Sequence, residues 1–223
     1  MTEKPDSDQE RLLKERGLAF FGAITASVSH ELNNVISIID QNAGLLADLL
    51  IGAQNGREIP PERLTKIAES ISHQTERGVR IIKRLNRFAH SVDDPEREFD
   101  LNDTLENLMA LTRRFANLKK VQLETQYAEP PITLVNSPFR IQQALFLCLR
   151  WFLSVGQPDD IVSVTASPDE RGVRIAVDGP LSEAIEPPDL DYLKLLMDRM
   201  GGAVRFRADT GRNRFELLLP TTS

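Results

Sequence analysis

The chain has 223 residues, of which 41% are hydrophobic, and it carries a formal net charge of -6. This length and apolar content are sufficient for one or two domains with buried cores. The acidic surplus argues against a nucleic-acid-binding protein, because phosphate backbones are bound by clustered Lys and Arg side chains. We therefore expect a globular protein without a nucleic-acid partner.

The same composition limits the cellular setting. The single cysteine, Cys148, lies in an apolar run, which excludes a disulfide framework and predicts a buried, unreactive thiol. No uncharged apolar stretch of about 18 to 20 residues is present, and the first residues do not form a basic and then apolar signal segment. We expect a cytoplasmic protein without a membrane partner.

The N-terminal part predicts a long helical hairpin. From about Gln9 to Ile51 apolar residues recur every three or four positions and no proline intervenes. The pair Pro60-Pro61 favours the start of a second helix, which keeps the same spacing as far as Asp93. Two helices leave part of each apolar stripe uncovered, so we expect a homodimer in which two hairpins form a four-helix bundle.

After Pro95 the period of the apolar residues changes. Helices are predicted at 102–118, 138–155 and 190–200, strands at 122–128, 132–135, 161–166 and 173–177, and a closing hairpin at 204–219. This order predicts an α+β sandwich with helices on one face of a sheet. We divide the chain into a hairpin domain, residues 1–95, and a sandwich domain, residues 96–223.

The sharpest local motif is Ser29-His30-Glu31-Leu32-Asn33-Asn34, in the middle of the first helix. Residues four apart share a helix face, so His30 and Asn34 lie one above the other with Glu31 beside them. A neutral imidazole is a nucleophile, and Glu31 could orient the ring or accept its proton as a phosphoryl group arrives. Asn34 could hold a water in line with a phosphoryl group on a partner aspartate. The alternative is that His30 is one more polar residue on a bundle surface.

The hairpin, from about Leu18 to His90, resembles the dimerisation and histidine-phosphotransfer domain of two-component sensor histidine kinases. In that family an acidic residue follows the phosphorylated histidine, and Asn or Thr comes after two further residues, as Asn34 does here; Val35 stands where the family usually has proline. The resemblance implies that His30 accepts phosphate and that Glu31 and Asn34 assist it. It implies response-regulator receiver domains as partners, with docking residues on this helix at Ile38 and Gln41.

The second helix carries a basic stripe, in which charged residues recur every three or four positions. Its members are Arg77, Arg80, Lys83, Arg84 and Arg87. The symmetry of the hairpin about Asn55 and Gly56 places Arg77 to Arg80 near the level of His30. Receivers present acidic residues around their phosphoacceptor, so Arg77, Arg80 and Arg84 are candidate docking residues. The alternative is a solvated helix face with little energetic weight.

The C-terminal part resembles the catalytic domain of the same family, at Phe99–Asn102, Ser137–Gln143 and Met200–Val204. That family has two Asn residues, four apart, on the helix after Gln143, and the matching positions here are Leu147 and Trp151. Magnesium prefers hard oxygen ligands, which these side chains lack.

The expected nucleotide loops are also reduced. The adenine-binding Asp and the glycines after it correspond to Asp178-Gly179-Pro180, followed by Leu181-Ser182-Glu183 where a further glycine is usual, and the lid over the triphosphate looks deleted. Without these groups the stabilisation that phosphoryl transfer from ATP requires is missing. We expect no cofactor, ATP or metal, and any magnesium would be carried by the receiver. The alternative for Asp178 is a loop aspartate in a turn.

The fold class predicted from these features is a long helical hairpin, forming a dimeric four-helix bundle, followed by a degenerate histidine-kinase-type ATPase-like α/β sandwich. The predicted function is that of a histidine phosphotransferase in a phosphorelay, exchanging a phosphoryl group between His30 and a receiver aspartate without binding ATP itself. Two alternatives remain open: an active histidine kinase or receiver phosphatase, and a non-catalytic dimeric pseudokinase that sequesters a regulator.

Overall fold

The computed structural model describes residues 5–94, 96–170, 172–180, 187, 189–209 and 211–221. By packing, the chain divides into a unit of residues 25–86 and a unit that combines residues 1–24 with 87–223. Packing groups residues 1–24 and 87–95, which are the first and last parts of the predicted hairpin domain, with the predicted sandwich residues. The domain boundary at residue 95 therefore stays a prediction.

Two helices form the hairpin: α1, Pro5–Gln54, and α2, Pro61–Ala89. Pro61 opens α2, where its missing N–H is not needed, and Arg87 in the last turn complements the helix dipole. In the turn between the helices Gly56 has φ of 83°, a conformation that disfavours a side chain. Both helices occur where the spacing of apolar residues predicts them.

Two contacts fix the register of the hairpin. A Cβ placed on Gly78 would lie 3.4 Å from Val35 Cγ1, so the two backbones approach closely there. Seven residues further along α1, Asn42 Nδ2 donates to Ser70 Oγ at 3.1 Å. Residues whose numbers add up to 112 or 113 therefore lie at one level.

Helix α1 also meets a compositional criterion for membrane spanning, over Ser7–Gln54. Core helices of soluble proteins and signal sequences satisfy the same criterion, which rests on length and composition alone. The expectation that no membrane is involved stays a prediction.

The second unit contains two sheets and three helices. A two-stranded antiparallel sheet pairs β1 with β3, and a five-stranded sheet has the order β2-β4-β5-β7-β6, in which only the β2–β4 pair is parallel. The elements, in chain order, are β1 Arg97–Asp100, α3 Leu101–Lys119, β2 Gln122–Gln126, β3 Thr133–Asn136, α4 Pro138–Val155, β4 Ile161–Asp169, β5 Gly172–Pro180, α5 Leu190–Asp198, β6 Ala203–Asp209 and β7 Arg212–Pro220.

The predicted fold class, a helical hairpin followed by an α/β sandwich, is confirmed at the level of these elements. Helices α3, α4 and α5 contact the large sheet, as expected for helices on one face. Strand β1 was not predicted, because only Phe99 of its four residues is apolar and the other three are charged, which gives too little apolar alternation. Thr210, which falls within the closing hairpin predicted at 204–219, lies outside the described residues.

Side-chain caps set the starts of two helices. Asp100 Oδ1 accepts from the backbone N–H of Asn102 at 2.7 Å and of Asp103 at 3.2 Å, which begins α3. Ser137 Oγ accepts from the backbone N–H of Arg140 at 3.3 Å, with Pro138 in the first turn of α4. The start of α4 fixes which of its residues face the sheet.

An aromatic cluster lies at the core of the unit formed by residues 1–24 and 87–223. The ring centroid of Phe20 is 5.3 Å from that of Phe88, 5.3 Å from that of Phe139 and 5.0 Å from that of Phe146. Phe88 is fully buried. Large aromatic rings in such contact contribute much of the burial that stabilises a small core, and here they hold the N-terminal third of α1 against α4.

Candidate functional site

His30 lies exposed in the middle of α1. Val35 of α1 faces α2 and gives a reference direction around the helix axis. The candidate residues are rotated from it to one side, by roughly 40 to 140°, in the order Glu31, Ile38, Asn34, Gln41 and His30. His30, Asn34 and Gln41 are exposed, whereas Glu31 and Ile38 are half-buried towards α2. The structure thus brings all five onto one side of the hairpin.

The opposite side of the hairpin is apolar and uncovered in the single chain. Ile36 is 60% exposed and Val79 47% exposed. Each follows one residue after the contacting pair Val35 and Gly78, and in two antiparallel helices such an advance of about 100° turns both residues to the same side. Further exposed members on this side are Leu50, Leu64 and Ile82.

The basic residues of α2 divide between two directions. Arg77 precedes Gly78 by one residue and Arg84 follows it by six, so both turn to the side that carries His30. By the register above, Arg77 lies near the level of Asn34, and Arg84 lies near that of His30. Arg80 points away from α1, 3.8 Å from Glu76 of its own helix.

This arrangement has clear chemical consequences. An exposed imidazole is open to in-line approach by a phosphorus centre, and two guanidinium groups on the same side, about two helical turns apart, favour an anionic group beside it. The amide of Asn34, one turn along from His30, can orient a water or a phosphoryl oxygen.

The positions that would place magnesium and phosphate lie in α4. Trp151 is 9% exposed, and its ring lies edge-on to three aromatic rings, at centroid distances of 4.8 Å from Phe152, 5.3 Å from Phe206 and 5.5 Å from Phe215. Beside Leu147 and Trp151, the described residues enclose a cavity of about 130 Å³. Small-molecule pockets are usually about 300 to 1,000 Å³, so this space is smaller than a nucleotide site.

Asp178 lies in strand β5 and not in a turn, so the turn interpretation of this residue is wrong. Its neighbours in the strand face α4: a Cβ placed on Gly179 would lie 2.1 Å from the ring of Phe152. Because successive residues of a strand alternate between faces, Asp178 points to the other face of the sheet. There Arg214 Nε, on the paired residue of β7, donates to Asp178 Oδ1 at 2.6 Å.

Asp178, which the resemblance matches to an adenine-binding aspartate, is therefore turned away from α4 and bound by a guanidinium group. Neither Arg214 nor the contact between Phe152 and Gly179 was among the sequence predictions. The alternation of Val173, Ile175 and Val177 could have shown that Asp178 is out of phase with the buried face. Leu181, Ser182 and Glu183, where the phosphate-binding glycine loop and lid were expected to be reduced, lie outside the described residues.

Two further titratable groups of this unit, Cys148 and Tyr192, are buried. Cys148 is buried, as predicted, and burial raises the pKa of its thiol, which disfavours the reactive thiolate. Burial also raises the pKa of Tyr192 to about 12, and Gln143 Nε2 donates to its hydroxyl oxygen at 2.8 Å. Within the described ranges, no cluster of three or more His, Cys, Asp or Glu side chains could hold a metal ion.

Comparison with known proteins gives relatives in one family. The chain is 26% identical over 170 residues to the sensor histidine kinase ZraS of Escherichia coli O157:H7 and equally to that of strain K12, covering 76% of this chain and 35% of each relative. The chain thus spans about a third of the length of these relatives. No protein-family model matches it.

Among solved structures, the nucleotide-free catalytic domain of histidine kinase ThkA superposes with a TM-score of 0.51 at 15% identity, covering 57% of this chain and 97% of that domain. The structure of ThkA in complex with the response regulator TrrA aligns over 100% of this chain and 68% of that chain, at 20% identity and a TM-score of 0.49. The C-terminal unit therefore has the fold of a histidine kinase catalytic domain. In sequence the chain is similar to two-component sensor histidine kinases.

The ion pair on the outer face of the sheet is testable. Asp178 is nearly buried and Arg214 half-exposed, so Arg214→Gln should leave a poorly solvated carboxylate and destabilise the protein by about 1 to 3 kcal/mol. In urea unfolding, Asp178→Asn with Arg214→Gln should cost less than the sum of the single changes.

Arg212→Gln is the matched control for that cycle, because Arg212 is exposed on the same strand, and it should change stability by less than about 0.5 kcal/mol. Strict additivity of the Asp178 and Arg214 changes would show that the two side chains are not coupled in solution.

Proposed function

We propose that this protein is a histidine phosphotransferase of a phosphorelay, which exchanges a phosphoryl group between His30 and the aspartate of a response-regulator receiver domain without binding ATP. The observation that supports it most directly is the pairing of an exposed His30 motif with a catalytic-domain fold whose nucleotide position is filled by aromatic side chains. The first feature provides an acceptor for phosphate, and the second argues against ATP as its donor.

The proposed reaction needs only groups that the hairpin and a receiver supply. A ring nitrogen of neutral His30 attacks the phosphorus of an aspartyl phosphate, a P–N bond forms, the P–O bond breaks, and the aspartate carboxylate leaves. The other ring nitrogen keeps its proton, and Glu31, half-buried next to His30, stabilises the cationic phosphohistidine ring. Transfer in the opposite direction uses the same groups.

Independence from ATP is supported by side chains that are present in the C-terminal unit. The ring of Trp151 packs between α4 and the sheet, against Phe215. The ring of Phe152 lies so close to Gly179 that a side chain could not be added there. Asp178 is engaged by Arg214 on the far face of the sheet. We propose that no magnesium nucleotide is held here and that any magnesium is carried by the receiver.

A receiver domain as partner is supported by the charge on the side of the hairpin that carries His30. Receivers surround their phosphoacceptor with carboxylates, which Arg77 and Arg84 would attract at short range. Ile38 and Gln41, next along α1 on the same side, would complete the contact. Arg80, which points away from α1, would steer the approach through its charge and make no close contact.

A second activity, dephosphorylation of the receiver, is favoured by the position of Asn34. It lies one turn from His30 on the same exposed side, where its amide could hold a water in line with an aspartyl phosphate. In such a role Asn34 would act without the nucleophile.

The proposal includes a homodimer, on the strength of the exposed apolar side of the hairpin. Burying side chains such as Ile36 and Val79 in water-free contact is favourable by roughly 25 cal/mol per Å² of apolar surface. A second hairpin applied there would form a four-helix bundle and leave His30 accessible. We further propose that the protein acts in the cytoplasm, without a nucleic-acid or membrane partner.

His30 and Asn34 should separate transfer from hydrolysis. His30→Gln should abolish phosphoryl acceptance from phosphorylated receivers, because glutamine has no nucleophilic nitrogen. Asn34→Ala should still accept phosphate, while hydrolysis of the receiver aspartyl phosphate falls by about 10- to 100-fold. Both are measured as radiolabel retained on the chain and lost from the receiver.

His73→Gln is the matched control, since His73 is exposed on α2 and should not be needed for either activity. Transfer that persists in His30→Gln would refute the proposal. Equal loss of both activities in Asn34→Ala would show instead that Asn34 serves docking or orients His30.

The apolar side of the hairpin gives a separate prediction. Ile36→Asp or Val79→Asp should convert a dimer into monomers at micromolar concentration, because a charge would be buried unpaired in the interface. Sedimentation equilibrium measures the change. Ser37→Asp, at the adjacent exposed position, is the control that should remain dimeric; a wild-type monomer, or a dimeric Ile36→Asp variant, would contradict the four-helix bundle.

A further inference from the structure

A second concave site lies within the unit formed by residues 1–24 and 87–223, away from the nucleotide position. It is a cavity of about 570 Å³ between residues 13–21 of α1, the end of α2 with the chain that follows it, and the start of α4. Its volume is within the range of about 300 to 1,000 Å³ that is usual for small-molecule sites.

The wall of this cavity is mainly apolar. Leu18 and Val92, which line it, are 73% and 47% exposed, so the cavity opens to water between apolar side chains. Further apolar lining residues are Leu13, Phe21, Phe139 and Leu196. Such a wall favours a ligand with a hydrocarbon body.

The polar groups of the wall are of two kinds. The neutral ones are already engaged: Ser91 Oγ donates to the Phe88 carbonyl oxygen at 2.6 Å, Ser137 Oγ caps α4, and Gln143 donates to Tyr192. The charged ones are Lys14 and Arg140, and no carboxylate accompanies them among the described lining residues.

Both cations retain donors for a ligand. One guanidinium nitrogen of Arg140 donates to the Arg199 carbonyl oxygen at 3.4 Å, which holds the side chain and leaves other N–H groups available. Lys14 has three ammonium donors on a flexible stem. An apolar cavity with two cations and no anion is complementary to an amphiphilic anion.

We propose that this cavity binds an amphiphilic carboxylate, a medium-chain fatty acid, with its hydrocarbon chain against Leu18, Phe21 and Phe139 and its carboxylate between Lys14 and Arg140. The site is independent of His30, so this inference does not rest on the proposed phosphotransfer.

The test is calorimetric titration of the full chain with sodium decanoate, kept below its micellar concentration. We expect saturable binding of one molecule per chain. Lys14→Gln and Arg140→Gln should each weaken binding about tenfold, because each removes a charge-assisted hydrogen bond. The wild-type protein should bind decanol more weakly than decanoate by a similar factor. Lys119→Gln, an exposed charge at the end of α3, should leave the affinity unchanged.

A variant that fills the site separates the cavity from general adsorption. Ala89→Trp, at a lining position, should abolish decanoate binding, while the two charge variants keep the test informative if this variant misfolds. The proposal is overturned by the absence of saturable binding, or by equal affinity in wild type, Lys14→Gln and Arg140→Gln. A second result would also overturn it. If the wild-type protein is a dimer that takes up no decanoate, and Leu18→Asp makes it a monomer, then a second copy of the chain covers the cavity.

Discussion

The packing of α4 against the five-stranded sheet is the constraint on which the C-terminal unit depends. Trp151 and Phe152 are the side chains by which the last turns of α4 meet Phe215 of β7, and Gly179 is the residue that lets Phe152 approach β5. In the related kinases this is the helix expected to supply oxygen ligands to magnesium. Here the same turns supply core aromatics, so the contacts that stabilise this core are also the ones on which the proposed loss of nucleotide binding rests.

The hairpin obeys a different constraint, the period of the α-helix. Val35 faces Gly78 of α2. Because neighbouring residues of a helix are about 100° apart, Asn34 points to one side of the hairpin and Ile36 to the other. The polar side, which carries His30 and the arginines, and the apolar side, which is the proposed dimer contact, therefore do not compete for surface. This separation lets a dimer form while the phosphoacceptor candidate stays open to a partner.

Much of the architecture could be predicted from sequence. In long stretches such as those around Val28 and Ile81, the spacing of the apolar residues predicts both a helix and the face of it that is buried. The His30 motif and its side of α1 followed from the same period. Strand β1 could not be predicted, since Arg97 and Glu98 conceal a short edge strand. The partner of Asp178 could not be predicted either, because its contact with Arg214 depends on strand pairing between residues 36 positions apart. The level of the arginines opposite His30 required the observed register.

The central claim is that phosphate reaches His30 from a receiver and not from ATP. The most direct measurement offers the full chain two radiolabelled donors in separate reactions, magnesium ATP alone and phosphorylated receiver domains from the same genome, and follows acid-labile label on the chain. The account predicts label from at least one phosphoreceiver, none from magnesium ATP, and none on His30→Gln with either donor. Stoichiometric labelling by magnesium ATP alone would contradict it, as would the absence of label from every phosphoreceiver.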